Sequence, residues 1–166
     1  MPFEVVVPEV DETFGPGPPF EEVRRVAERK GAAVVRDWIE ATVIAADTVV
    51  EVAGRVLGKP RDREHAREML RTLSGARQDV HTGVAVFSLG RLWRSHTETT
   101  RVVMRTITPA EIDSYVASGE SMGKAGAYAI QENGDAFVAH LDGDFDNVVG
   151  LPVAWLSSQL TLLARS

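Results

Sequence analysis

The stretch ATVIAADTVVEVAGRVLGKP, residues 41–60, decides the fold because it reads as a complete hairpin. Val43, Ile44, Ala45 and Ala46 are small or β-branched, as a buried strand requires, and Val49, Val50 and Val52 continue the run. Gly54 marks a turn, and Arg55–Leu57 returns as a second, shorter strand. Asp47 interrupts the apolar run. An ionised carboxylate in that setting is costly unless it is paired, hydrogen-bonded or metal-bound. It is therefore either a candidate for chemistry or a strand-end acid already in solvent, and the hairpin alone leaves both readings open. Lys59, across the hairpin, precedes Pro60, which keeps residue 59 extended and fixes where its side chain leaves the backbone. An ammonium there suits a phosphate, although a solvated turn lysine is the commoner case.

Outward from the hairpin, helices and strands interleave. FEEVRRVAERKGAAV places Phe20, Val23, Val26 and Ala27 at helical spacing, with Gly31 as the expected stop. RDREHAREMLRTLSG predicts a helix capped by Asp62, with Ala66, Met69, Leu70 and Leu73 inward and Gly75 at its end. Two long strands follow around Leu89-Gly90. Thr108-Pro109-Ala110-Glu111 is a capping box opening a helix that stops at Gly119. GESMGKAGAYAIQENG is a glycine-rich loop and DAFVAHLDGDF a strand and turn. The last helix carries Val153, Leu156, Leu160 and Leu163 on one face. At the other end, Phe3, Val5 and Val7 predict a half-buried strand, followed by a Pro/Gly-rich connection. The pattern gives an α/β class whose sheet contains antiparallel hairpins, in one domain over residues 1–166.

Composition narrows the function. With 24 acidic against 18 basic residues and a net charge of −6, the chain lacks the basic face of a nucleic-acid binder. The absence of cysteine excludes disulfides, zinc–thiolate sites and thiol catalysis. No apolar run reaches the roughly 20 residues that cross a bilayer, and no signal peptide is visible, so a cytoplasmic location is expected.

Among candidate residues, the loop at 119–131 resembles a phosphate loop only superficially. Gly119 and Gly123 enclose three residues rather than four, and Ala125 follows Lys124 where the Walker pattern needs Ser or Thr. What the loop does bring together is Glu120, Lys124 and Gln131, with glycines that free backbone amides for an anion. Glu12 is a possible second acid for a metal, although a solvated loop acid is more common. His65, His81, His96 and His140 show no metal-ligand spacing, and there is no Gly-x-Ser-x-Gly elbow. Acids and lysines on loops at strand ends suit a divalent cation and phosphates.

The blocks AADTVVEVAGRVLGKPRDREHAREMLRTLSG, VHTGVAV, ETTRVVMRTIT, YVASGESMGKAGAYAIQ and DNVVGLP, in this order, resemble the Maf family of nucleotide pyrophosphatases. The resemblance implies a Maf/inosine-triphosphatase-like α/β fold, with a mixed sheet in two lobes flanking a central cleft, and a homodimer. It implies hydrolysis of nucleoside triphosphates to the monophosphate and pyrophosphate with a divalent metal, Mg or Mn. Position by position, it makes Asp47 the catalytic acid or metal ligand and Glu12 its second acid. Lys59 joins Asp47 and Glu12 in the catalytic set as a phosphate-contacting group, Lys30, Lys124 and Gln131 become phosphate- and substrate-contacting residues, and Glu120 and Thr48 complete the substrate-binding set. The KAGAY-IQ form is similar to the branch acting on dTTP and UTP, with 7-methyl-GTP as the second choice.

The chain also departs from the family pattern. It carries no Ser-x-Ser-Pro-Arg-Arg loop, and Met1 falls where the family's second strand begins, so relative to the family pattern the N-terminal strand and loop are expected to be missing from this sequence. Gln78 stands in place of His, Glu132 in place of Gly, and Gly31 in place of Ala. Three readings follow: a start codon further upstream, a short form that binds nucleotides with little turnover, or a partner-binding protein without catalysis. An unpaired sheet edge and exposed apolar surface are expected, with poor solubility or oligomerisation as the result.

Overall fold

Residues 3–165 are described by a computed structural model. The hairpin forms as its sequence requires: β1 (Val43–Val52) pairs antiparallel with β2 (Arg55–Leu57), with Val52 opposite Arg55. Ala53 and Gly54 both take positive φ, 48° and 73°, the two-residue turn whose twist matches the flanking strands. Leu89 (49°) and Gly90 (74°) repeat that geometry between β3 (Arg77–Ser88) and β4 (Arg91–Met104). With β5 (Val138–Asp142) the sheet order is β2-β1-β3-β4-β5. The α/β class stands. Where a mixed sheet was expected, every pairing among the described residues is antiparallel.

Strand alternation divides the core. Val50, Val52, Val80, Val102 and Met104 face α2 (Arg63–Leu73) and α3 (Pro109–Ser118), whose Leu70, Leu73, Ile112 and Val116 are fully or nearly fully buried. On the opposite parity, Ala85 and Phe87 meet Ala27 and Val35 of α1 (Pro19–Val35). Asp62 caps α2 by accepting from the His65 amide at 2.8 Å. Gly119 ends α3 in the left-handed conformation. α4 (Phe145–Val149) and α5 (Val153–Leu163) close the chain, with Trp155 of α5 stacked on His96 of β4. Among the described residues no helix is long and apolar enough to cross a membrane.

The capping box at α3 supplies a pH test of the fold. Glu111 accepts from Arg105 Nη2 at 2.8 Å and from the Thr108 amide at 2.8 Å, while the Glu111 amide donates to Thr108 Oγ1. The Arg105 hydrogen bond, followed by the Thr108 amide, holds the Glu111 carboxyl at about 2, down from 4.5. A depressed carboxyl stabilises the fold above its unfolded value and loses that contribution as pH falls through its folded value. Glu111→Gln should therefore lower the melting temperature at pH 7. The gap from the wild type should narrow below pH 4.5 and close near pH 2. A constant gap across that range would contradict the assignment.

Three expectations are corrected. Residues 3–18 form no strand: Phe3 and Val7 are exposed, and no strand among the described residues pairs with the segment. The segment is held instead by Arg29, which donates to the carbonyls of Asp11 at 3.0 Å and Thr13 at 2.9 Å. Gly31 does not stop α1, which runs on to Val35. It is glycine because the Phe87 ring occupies the space a Cβ would need. On α5, only Leu156 of the four expected inward residues is buried, and Val153 is exposed. The expected open edge is present: β2 covers only Val50–Val52 of β1. Residues 43–46 of β1 line a groove of about 1410 Å³ shared with Phe3, Trp38 and Leu92.

Candidate active site

Asp47 lies midway along β1, opposite Gly83 of β3, with Thr48 opposite Thr82. Adjacent strand residues project to opposite faces, so a cleft lined by both lies across the part of the β1 edge that β2 leaves open. Such a cleft, about 310 Å³, gathers Asp47, Thr48, Lys30, Lys59, Lys124 and Gln131. Tyr128, Ile130 and the end of α4 at Val148, Val149 and Gly150 supply its other wall.

Each basic group arrives on a separate element. Lys30 comes from the fourth turn of α1, and its Nζ donates to Asp47 Oδ1 at 2.7 Å while lying 3.0 Å from Glu12 Oε1. Lys59 sits between β2 and α2. Lys124 lies in the loop after α3 and faces Glu132 at 3.8 Å. The Gly126 amide donates to the Gly58 carbonyl at 3.0 Å, which ties the Lys124 loop to the Lys59 turn. Gly126 (φ 69°) and Ala127 (φ 63°) give that loop the left-handed bends it needs.

The Lys30 and Asp47 side chains are only 15% and 13% exposed, so burial is the largest single influence on each of them. Burial pushes the Asp47 carboxyl above its ordinary 3.8, against the opposing pull of the Lys30 hydrogen bond and charge and the more distant charge of Lys59. Burial also disfavours the Lys30 ammonium, but Asp47 and Glu12 together outweigh it and Lys30 is raised above 10.5. A carboxylate that burial makes harder to ionise, beside the Lys30 ammonium that its carboxylate partners keep charged, is a base next to an anion-binding surface.

Of the residues singled out in the sequence, the cleft brings together Asp47, Thr48, Lys30, Lys59, Lys124 and Gln131. Glu12 joins through Lys30, from the extended segment before α1. Glu120 does not reach the cleft lining; its carboxylate accepts from the amide and the side chain of Asn133 and braces the loop. Among the described residues no group of three or more His, Asp or Glu side chains is placed to hold a metal. Asp47 and Glu12 are the two carboxylates that converge on one positive charge, the Lys30 ammonium.

Two features were missed in the sequence. Asn147, fully buried in α4, donates to the Val80 carbonyl at 3.1 Å and to Thr100 Oγ1 at 3.0 Å, and so fixes the wall at Val148–Gly150. Asp144 capping the turn and Gly150 ending it were the available signals. Tyr128 is the other, held by Gln78 Nε2, which donates to its hydroxyl at 3.0 Å.

The fold is an α/β sheet whose cleft sets one part-buried carboxylate beside three lysines, a concentration of positive charge suited to a polyanion. The chain belongs to the Maf-like protein family, whose model matches residues 1–163. It is 48% identical over 163 residues to a dTTP/UTP pyrophosphatase of Pelotomaculum thermopropionicum, covering 96% of this chain and 85% of that one. It is 45% identical to the Bacillus cytotoxicus and 42% identical to a Bacillus anthracis protein of the same name. Each of those two matches spans 161 residues, 96% of this chain and 84% of the relative.

Proposed function

We propose that this cleft hydrolyses dTTP and UTP to the nucleoside monophosphate and pyrophosphate. The observation that carries the reading is the placement of Asp47, mostly buried and raised in pKa, beside Lys30 in a cleft shared with Lys59 and Lys124. Relatives named for this activity, at 42–48% identity, support it. The attacking water loses a proton to Asp47 as its oxygen bonds to the α-phosphorus. The bond from that phosphorus to the bridging oxygen breaks, and pyrophosphate leaves with the electron pair. Lys30, Lys59 and Lys124 offset the charge on the phosphate oxygens throughout, which is where electrostatic catalysis acts. Protonated Asp47 stays close to Lys30 and returns its proton to solvent.

A divalent cation fits the donor set. Asp47 and Glu12 already converge on one positive charge, and two hard carboxylates with substrate phosphates and water are a usual environment for Mg²⁺. Bound there, the cation would add Lewis-acid neutralisation of phosphate charge.

The test is pyrophosphate release from dTTP, UTP and 7-methyl-GTP, with Mg²⁺ or Mn²⁺. Turnover of dTTP and UTP well above 7-methyl-GTP is expected. No release from any of the three, or a preference for 7-methyl-GTP, overturns the reading.

A further inference from the structure

A chain of hydroxyl groups leads from the cleft into the core. Thr82, fully buried on β3, donates to the Asn147 carbonyl at 2.9 Å. That carbonyl also accepts from the Gly150 amide at 3.1 Å and has no proton to give. Thr82 Oγ1 lies 2.9 Å from Thr48 Oγ1. A hydroxyl carries one proton, and that of Thr82 is committed to Asn147. Thr48 must therefore donate to Thr82, and only its lone pairs are left for the cleft that it lines. Gly150 keeps that oxygen uncovered, since a Cβ at this position would stand 3.5 Å from Thr48 Oγ1.

We propose that Thr82 is a positioning residue for specificity: by fixing the direction of the Thr48 proton, it makes Thr48 accept a hydrogen bond from a donor on the nucleotide. This rests on the nucleotide reading above. An acceptor-only oxygen repels phosphate oxygens and base carbonyls and selects an N–H or O–H. Thymidine triphosphate offers two such donors on its base and sugar, the base N3–H and the sugar 3′-hydroxyl.

The experiment measures kcat/KM for dTTP, N3-methyl-dTTP and 3′-deoxy-dTTP with the wild type, Thr82→Val, Thr82→Ser, Thr48→Val and the double variant Thr48→Val/Thr82→Val. Thr82→Val and Thr48→Val should each lower kcat/KM for dTTP by about three- to tenfold, as loss of one neutral hydrogen bond implies. The double variant should be no worse than Thr48→Val alone, because both remove the same interaction. Thr82→Ser should behave like the wild type. The analogue lacking the donor that Thr48 reads should be hydrolysed equally by wild type and Thr82→Val. That analogue identifies the donor, N3–H if it is the methylated base and 3′-hydroxyl if it is the deoxy sugar. Losses that add in the double variant, or an equal loss on all three nucleotides, overturn the relay. If Thr82→Val does not fold, Thr48→Val decides: an equal loss on all three nucleotides overturns the proposal, and one analogue spared supports it. A wild type that releases no pyrophosphate from dTTP removes the functional reading first, whereas an active wild type with an unselective Thr82→Val removes the relay alone.

Discussion

Asp47→Asn is expected to lower kcat for dTTP by about 10²–10⁴-fold, the range for removing a positioned general base, with KM little changed. The asparagine keeps the size of the side chain, so the cleft retains its shape. Lys30 keeps Glu12 as a partner at 3.0 Å, so the ammonium is not stranded without a counter-charge. The loss then reports chemistry rather than collapse, and a melting temperature close to wild type serves as the control. The pH profile adds an independent check. A base works only when ionised, so kcat/KM falls as pH drops through the Asp47 pKa. Burial has moved that value above 3.8, which places the acid limb of the profile higher than an ordinary aspartate would give. Replacing Asp47 should abolish that limb together with the rate. A variant as active as the wild type, with an unchanged acid limb, would remove Asp47 from the mechanism.

The site was legible in the sequence where local chemistry marks it, and obscure where it depends on register. Asp47 stood out because an acid in an apolar strand needs a reason, and Lys59 because Pro60 constrains it. Asp62, Thr108 and Glu111 announced their helices through capping rules that act within one turn. Thr82 gave no such sign. It matters only because β1 and β3 pair with Thr48 opposite Thr82, and because α4 then places the Asn147 carbonyl beneath it. No single stretch contains that coincidence. The N-terminal alternation misled for a related reason: Phe3, Val5 and Val7 have strand composition, but a strand also needs a partner ladder, which composition cannot supply. Gly31 misled because a glycine late in a helix looks like a stop, whereas this one serves the close approach of a ring on β3.

That approach is the basis of the second large effect. Gly83→Ala is expected to destabilise the protein by about 1–3 kcal/mol, although alanine in a strand ordinarily gains about 0.5–1 kcal/mol over glycine. The sign is decided by space. A Cβ on Gly83 would lie 2.5 Å from the Val23 carbonyl oxygen and 2.5 Å from Arg24 Cα. Both are backbone atoms of α1, which no side-chain rotation can move aside. Gly83, where the strand backbone meets the helix backbone at Val23 and Arg24, and Gly31, where the Phe87 ring meets the helix, set how closely α1 lies against β3. Lys30 is carried by the same helix, and its 2.7 Å bond to Asp47 depends on that closeness. For a chain of this size the loss corresponds to a fall in melting temperature of about 2–4 °C per kcal/mol. Lifting α1 should also weaken the Lys30–Asp47 pair, so kcat/KM for dTTP should fall along with stability. Gly58→Ala is the matched control: it adds the same methyl where nothing lies within 4 Å, and should leave the melting temperature nearly unchanged. If Gly83→Ala melts no lower than Gly58→Ala, the contact between α1 and β3 is looser than its geometry states, and the positioning of Lys30 needs another cause.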